Sequence, residues 1–387
     1  QGGARRGSFT ALLMGGVLSA IQMNAAEYAS YLTRGIPQPV DVALVGCGCP
    51  KRGMGWYHLV QLLEMPEANV TAVVEPWYLG AGKEAPGADK FMEMKADLES
   101  RGVAFYASVT DMPAVAAGRK LCVLIAGRTA DNPRFFKECI DKGATHIYLE
   151  KPGAPTVQEL ETMKQQASEA GVGVFLGYNK NVTKYVTLAR EFEAKTPGAE
   201  TTFIHNNAYK PEELPECFSR NREGMLKNMA VHELALLVTY YGVSCDNVES
   251  VAPIPEDCTL QTLGDFTDFS KVAFTVTTKD GKSVTVKADR CGGSNSIAIV
   301  KVDGEEVFSS VTPDDELKAR VEEQQKADPE MMPYFFLQSD DYLTLKSRVL
   351  KNVATGLPAE GIATIDIAVE TIKVAEMFNE QIRAALA

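Results

Sequence analysis

The chain is 387 residues long, 45% hydrophobic and 23% charged, with a formal net charge of −12. That length exceeds one ordinary core and predicts two domains. The acidic balance, without any Lys/Arg-rich run, excludes the basic face that nucleic acid requires and disfavours an anionic membrane surface, so a small molecule is the expected ligand.

The first residues read Arg5-Arg6-Gly7-Ser8-Phe9, then an apolar run from Thr10 to Ile21, then Ala25-Ala26. A basic start, a short apolar stretch and small residues resemble a twin-arginine export signal. Phe9 to Ile21 is thirteen residues, against about 20 needed to span a bilayer. Residues 1–37 are therefore expected to be a targeting-like or anchoring arm. Its apolar face would bury against a sister subunit in a homo-oligomer or against a larger assembly in peripheral contact with a membrane, the alternative being a helix packed on its own domain. Export, a plastid or thylakoid-type compartment, and a soluble cytoplasmic or stromal location all stay open.

Val40 to Val45 is a β-branched apolar run suited to a buried parallel strand. It feeds Gly46-Cys47-Gly48-Cys49-Pro50-Lys51-Arg52-Gly53-Met54-Gly55, and a helical stretch, His58 to Leu63, follows. Strand, glycine loop and helix form the context of a dinucleotide fingerprint. Gly46, Gly48, Gly53 and Gly55 let the backbone turn and approach a pyrophosphate, and the helix N-terminus offers it free N–H groups. Of the eight cysteines, Cys47 and Cys49 form a CxC in this turn with no second ligand pair, so no metal site is expected. Cys122 and Cys139 lie in apolar segments and are expected in the core.

A second strand, Val70 to Val74, ends at Glu75-Pro76. An acid at that tip can accept from the adenosine ribose hydroxyls and repels a 2′-phosphate, which favours NAD; Lys51 and Arg52 keep NADP possible. Strands over 103–106 and 121–126, a helix over 133–142 and a strand over 146–149 continue a doubly wound parallel sheet. Gly127-Arg128-Thr129-Ala130 follows the fourth strand, where the nicotinamide half should pass, with Arg128 as a contact. Asn69-Val70-Thr71 and Asn181-Val182-Thr183 spell glycosylation sequons, the first inside a strand expected to be buried.

The fifth strand runs into Glu150-Lys151-Pro152. A strand-end Glu-Lys-Pro after a Rossmann half resembles the glucose–fructose oxidoreductase, inositol dehydrogenase and MocA (Gfo/Idh/MocA) family. The Arg-Gly form of the glycine loop, with two extra residues, is similar too. So are Gly171 to Asn179, the helix Gly224 to His232, and the run Gly361 to Ala368. The likeness covers about residues 38 to 387. It implies an α/β chain: an NAD(P)-binding Rossmann domain over 38–152, then over 153–387 a substrate and oligomerisation domain with a large open, mostly antiparallel sheet.

The resemblance also implies roles. Lys151 matches the family lysine beside the nicotinamide and the reacting carbon, with Glu150 next to it at the cofactor. The family pattern Asp-x-Gly-x-His-x-x-Asp reads here Asn228, Ala230, His232 and Ala235, so the histidine is kept and both acids and the glycine are lost. His232 stands as a catalytic candidate, which Asn228 could orient but not neutralise. Asn179, Asn228 and His232 are the expected substrate contacts, with Lys180 and Tyr209 as further polar groups. His232 competes with a plain core histidine on an apolar helix. His58 is expected to pack or cap, and His146 and His205, in strand-like runs, need no function.

From about Thr201 the period turns to two, with strands at 202–205, 271–277, 283–287 and 297–302 and hairpin turns at Lys279-Asp280-Gly281-Lys282 and Asp303-Gly304-Glu305. Asp341 to Leu350 and Ile362 to Leu386 read as closing amphipathic helices. Three functions fit: an NAD(P)-dependent oxidoreductase acting on a sugar, polyol or related hydroxy/keto compound, an NAD-dependent glycosidase, and a non-catalytic Rossmann-fold subunit.

Overall fold

A computed structural model describes residues 39–387; the expected arm, residues 1–37, lies outside the described residues. In chain order the first half runs β1 (Val40–Val45), α1 (Met54–Glu64), β2 (Ala68–Val74), α2 (Ala88–Ser100), β3 (Ala104–Tyr106), β4 (Leu121–Ile125), α3 (Asn132–Asp141), β5 (His146–Leu149), α4 (Val157–Ala170) and β6 (Gly173–Leu176). The second half runs α5 (Lys184–Glu193), β7 (Ala199–Asn206), α6 (Leu214–Arg220), α7 (Met225–Asn228), α8 (Val231–Tyr240), β8 (Val248–Pro253), β9 (Thr259–Leu263), β10 (Phe266–Thr278), β11 (Ser283–Asp289), β12 (Asn295–Val302) and β13 (Glu305–Thr312). It closes with α9 (Asp315–Ala327), α10 (Pro333–Leu337), α11 (Ser339–Thr355), the two-residue β14 (Ala363–Thr364) and α12 (Ile365–Leu386).

The first sheet has the order β14-β6-β5-β4-β1-β2-β3, all parallel except β14. It runs past residue 152, taking in β6 and, from the far end of the chain, β14. Its central strands read as continuous apolar runs because both faces are covered. On one face lie Trp56, Leu59, Phe91, Phe335, Leu345 and Val349; on the other lie Phe135, Phe136, Leu160, Met163 and Ile372. Strand order reverses between β1 and β4, so a crevice opens at their carboxyl ends, where doubly wound sheets bind ligands.

The second sheet is ordered β13-β12-β7-β11-β10-β8, with β9 added on β10. Its pairs are antiparallel except β7 with β11. Helices α5, α8 and α12 pack on one face around Phe203, Leu237, Phe274 and Phe378. The alternation along β11 and β12, buried then half-buried, is the signature of a sheet covered on one side.

Two connections position the site. The first half of α12 (Ile365, Ala368, Ile372) belongs to the core of the first sheet, while Val374, Phe378 and Ile382 belong to the core of the second. One 22-residue helix thereby fixes the two sheets against each other. From the other side, α10 and α11 return to lie on α1. Tyr57 stacks on Phe335 with ring centroids 4.5 Å apart and donates its hydroxyl to the Phe335 carbonyl at 2.7 Å.

Several expectations change in detail. The helix expected over Gly224 to His232 is two pieces, Met225–Asn228 and Val231–Tyr240, broken at Met229 and Ala230. The first sequon lies in β2 as expected, but in its less buried half: Asn69 is exposed and its amide donates to Asp41 at 2.7 Å. Cys122 and Cys139 are buried, and burial pushes the Cys122 thiol up to about 12. Among the described residues no helix is long and apolar enough to cross a membrane.

Candidate functional site

The glycine loop is built for close backbone approach. Gly46 (φ +83°) and Gly48 (φ +71°) hold left-handed conformations. A Cβ on Gly46 would lie 2.8 Å from the Gly127 Cα, and one on Gly55 would lie 1.8 Å from the Gly46 carbonyl oxygen. The tip of β1, the start of α1 and the turn after β4 therefore meet without side chains. No side chain caps α1 at Gly53, so its first N–H groups stay available to a ligand.

Glu75, 3% exposed at the tip of β2, accepts the Gly48 N–H at 2.7 Å and the Trp77 N–H at 2.9 Å. Its carboxylate thus leans onto the glycine loop. Lys51 is committed elsewhere: its ammonium donates to Asp328 at 2.9 Å, from a segment of the second half that reaches over the loop. Arg52 and Arg128 are exposed. These residues fit a dinucleotide: a side-chain-free cradle, an uncapped helix start and an acid beside them.

Strand β5 ends at Leu149 and runs into Glu150-Lys151, with a cis Lys151–Pro152 bond. Glu150 is buried in a polar chain that the sequence reading missed. Its Oε1 lies 3.0 Å from His58 Nε2, and His58 Nδ1 lies 3.0 Å from Lys346 Nζ, which also donates to Gln61. His58 and Lys346 are 0% and 2% exposed. With Lys346 donating to Nδ1, the ring must be neutral and must donate Nε2–H to Glu150. Burial, then the Lys346 cation, holds the His58 pKa down to about 4, and burial takes Lys346 down to about 7. His58 was expected to pack or cap; it also connects α1, β5 and α11.

Lys151, partly buried, donates only to the Asn228 carbonyl, at 3.4 Å. Burial lowers its pKa, while Glu150, Glu223 and Glu233 oppose the shift. The Asn228 amide donates instead to Glu223 at 2.8 Å, so Asn228 does not orient His232, contrary to expectation: α7 ends at Asn228, and its side chain turns outward. His232 is 7% exposed, sits edge-on to Tyr178, and has a buried Nδ1 without a partner. Its pKa is held well down by burial, then by the Lys151 and Lys180 cations.

A second cluster adjoins this one. Glu233, 0% exposed, pairs with Lys180 Nζ at 2.5 Å and with His205 Nδ1 at 3.1 Å, and Lys180 also donates to Ser296 at 3.0 Å. Asn179 donates to Gln338 at 2.9 Å and keeps a buried Oδ1 without a partner. Tyr209 instead accepts from Arg220, among a different set of residues. Asp341, on α11, has its carboxyl pushed up to about 8 by burial and by Asp340. Glu233 had a sequence signal that went unread, a lone acid inside Val231-His232-Glu233-Leu234-Ala235-Leu236-Leu237. A cleft of about 450 Å³ lined by Arg190, Glu193, Tyr240, Tyr241 and Lys282 shares no residue with either cluster, so volume alone does not find this site. Cys47 and Cys49 are free thiols, and among the described residues no group of three or more His, Cys, Asp or Glu could hold a metal ion.

A doubly wound sheet with a glycine cradle at its switch point defines the class, a dinucleotide-binding protein. Residues 40–178 match the GFO_IDH_MocA family, described as an oxidoreductase family with an NAD-binding Rossmann fold. That match spans the NAD-binding domain, so over residues 40–178 the chain is similar to the Gfo/Idh/MocA oxidoreductases, an NAD-binding family. No curated protein matches the sequence significantly. Among solved structures, the fold is similar to a myo-inositol dehydrogenase from Corynebacterium glutamicum, with TM-score 0.66, 16% identity, and coverage of 90% of this chain and 97% of that one. It is also similar to the myo-inositol 2-dehydrogenase of Lactobacillus plantarum (0.63, 15%, 90% and 98%). A third similar fold is the UDP-N-acetylglucosamine 3-dehydrogenase of Acidithiobacillus ferrooxidans (0.60, 12%, 90% and 99%).

Proposed function

We propose that this protein is an NAD-dependent dehydrogenase of a sugar, polyol or related hydroxy/keto compound, with Lys151 beside the reacting carbon–oxygen bond. The observation that carries this reading is the state of Lys151: a partly buried ammonium at the carboxyl end of a Rossmann strand with no carboxylate in hydrogen-bonding contact. Such a cation is suited to polarise a substrate oxygen, and a lowered pKa brings it toward proton exchange. The glycine cradle from Gly46 to Gly55, with Glu75 and Arg128, would hold the dinucleotide, and its nicotinamide supplies the hydride acceptor or donor. Glu75 at the ribose and the engagement of Lys51 with Asp328 favour NAD over NADP.

The chain's own residues bind and orient. Glu150, held by His58 and Tyr148, fixes the strand end that presents Lys151. Asn179 Oδ1 and the His232 ring offer polar contacts to substrate hydroxyls, since both keep buried polar atoms without partners. The test is whether purified protein carries NAD(H), and whether added sugars and polyols reduce or oxidise it. Replacing Lys151 with Ala should lower kcat by about 10²-fold or more and leave NAD⁺ affinity intact. Bound cofactor that no sugar or polyol turns over would end the dehydrogenase reading in favour of a non-catalytic subunit.

A further inference from the structure

The chain has four histidines, and two are engaged away from Lys151. His58 has both ring nitrogens occupied, by Glu150 and Lys346. His146 bonds Thr145 and stacks on Phe175. His205 and His232 remain, and both lie in the field of Lys151. Only one of them is equipped to accept a proton. His232 Nδ1 has no partner, the Asn228 amide is turned to Glu223, and position 235 is alanine, so no carboxylate contacts its ring. A proton arriving there would create an imidazolium beside two lysines, opposed only by the field of Glu233, whose oxygens are already paired with Lys180 and His205.

His205 is placed differently. It is the penultimate residue of β7, and the register with β12 sets it opposite Ser296. Its Nδ1 lies 3.1 Å from Glu233 Oε2, and its side chain keeps 14% exposure. Glu233 is ionised: the His205 and Lys180 contacts hold its carboxyl well below the usual range, against the opposing effect of burial. An ionised carboxylate can only accept, so Nδ1 carries the hydrogen and Nε2 carries the lone pair. This is the acid–imidazole arrangement in which a buried carboxylate selects the tautomer and stabilises the imidazolium that forms.

We infer that His205, oriented by Glu233, takes the proton of the substrate hydroxyl, and that His232 binds substrate without exchanging its proton. The inference rests on the dehydrogenase reading above. In the oxidation direction the O–H bond breaks and its proton joins His205 Nε2. The C–H electron pair would leave as hydride to a bound oxidised nicotinamide as the carbon–oxygen double bond forms, and the new imidazolium faces the Glu233 carboxylate. Reduction runs the same transfers backward. Glu233 is a positioning residue, itself held by Lys180.

The test compares wild type, His205→Gln, His232→Gln and Glu233→Gln, each checked for folding by thermal unfolding and for NAD⁺ affinity by calorimetry. His205→Gln should lower kcat by about 10²-fold or more, leave NAD⁺ affinity unchanged, and abolish the acidic limb of the pH–rate profile. Glu233→Gln should lower kcat and move that limb to lower pH, because the carboxylate favours the charged ring against Lys151, Lys180 and His232. His232→Gln should raise KM and keep the limb. Should Glu233→Gln fail to fold, ¹⁵N-histidine NMR of the wild type reads the tautomer directly, with a protonated Nδ1 expected on His205. A protonated Nε2 there, or an unimpaired His205→Gln enzyme, overturns the inference alone. A wild-type enzyme that turns over no sugar or polyol overturns the dehydrogenase reading and this role together.

Discussion

Replacing His58 with Gln should make the protein markedly less sensitive to acid. His58 is fully buried, and its folded pKa is about 4 against 6.5 for an ordinary histidine. A depressed pKa means that the fold favours the neutral ring, so its contribution is present above 6.5 and is lost as pH falls toward 4. Between pH 7 and pH 5 the unfolded chain takes up this proton and the folded chain does not, which removes about 2 kcal/mol of stability, at about 1.4 kcal/mol per pKa unit. Glutamine does not titrate, and its amide can still donate to Glu150 and accept from Lys346. Asp341, raised to about 8, binds its proton more tightly when folded and acts in the opposite direction over this interval. It is common to both proteins and drops out of the difference. Urea unfolding of wild type and variant at the two pH values gives four free energies. The loss between pH 7 and pH 5 should be smaller in the variant by about 2 kcal/mol. An equal loss in both proteins would refute the buried, neutral His58 and with it the donor–acceptor order assigned to the Lys346–His58–Glu150 chain.

Three further outcomes follow from the geometry. Glu75→Gln should weaken NAD⁺ by about ten-fold, the scale of a lost hydrogen bond to a charged group, and narrow the gap to NADP⁺ in calorimetric titration; equal affinity of the wild type for both would remove the role given to Glu75. Gly55→Ala forces a methyl group to within 1.8 Å of the Gly46 carbonyl, so α1 must move; stability should fall by about 2 kcal/mol in urea unfolding, with weaker NAD⁺ binding. Asp268→Ala strands Arg290, which is 1% exposed, pairs with Asp268 at 2.8 Å and sits in the second domain; a loss of about 3–5 kcal/mol is expected from a buried charge left without its partner.

The order of elements in the first half is legible because a parallel sheet covered on both faces demands long apolar runs, and β1, β4 and β5 supply them. The glycine loop is equally local: strand, turn and helix are contiguous, and the close approaches at Gly46 and Gly55 exclude any side chain. Glu-Lys-Pro marks the candidate site because three adjacent residues carry it. The second sheet was read from its period of two, yet β8, β9 and β13 were missed, since they lie at the exposed margin.

What escaped the sequence reading is what joins distant segments. Lys346 and His58 are 288 positions apart, and His205 and Glu233 are 28 apart. Nothing local in a strand-like Thr202-Phe203-Ile204-His205 tells that a carboxylate will meet its last ring. A lone Lys on α11 or a lone Glu on α8 reads as a lapse in an apolar face, although a buried charge is tolerated only where a partner arrives from elsewhere. The sequence by itself determined the Rossmann half, its cofactor cradle and the position of Lys151, because each is written in contiguous residues. Only the tertiary structure decided that His58 and His205 meet carboxylates while His232 does not, and what Asn228 binds. It alone also showed that one C-terminal helix serves both cores. Those outcomes depend on how two sheets are set against each other, and local sequence carries no record of that angle.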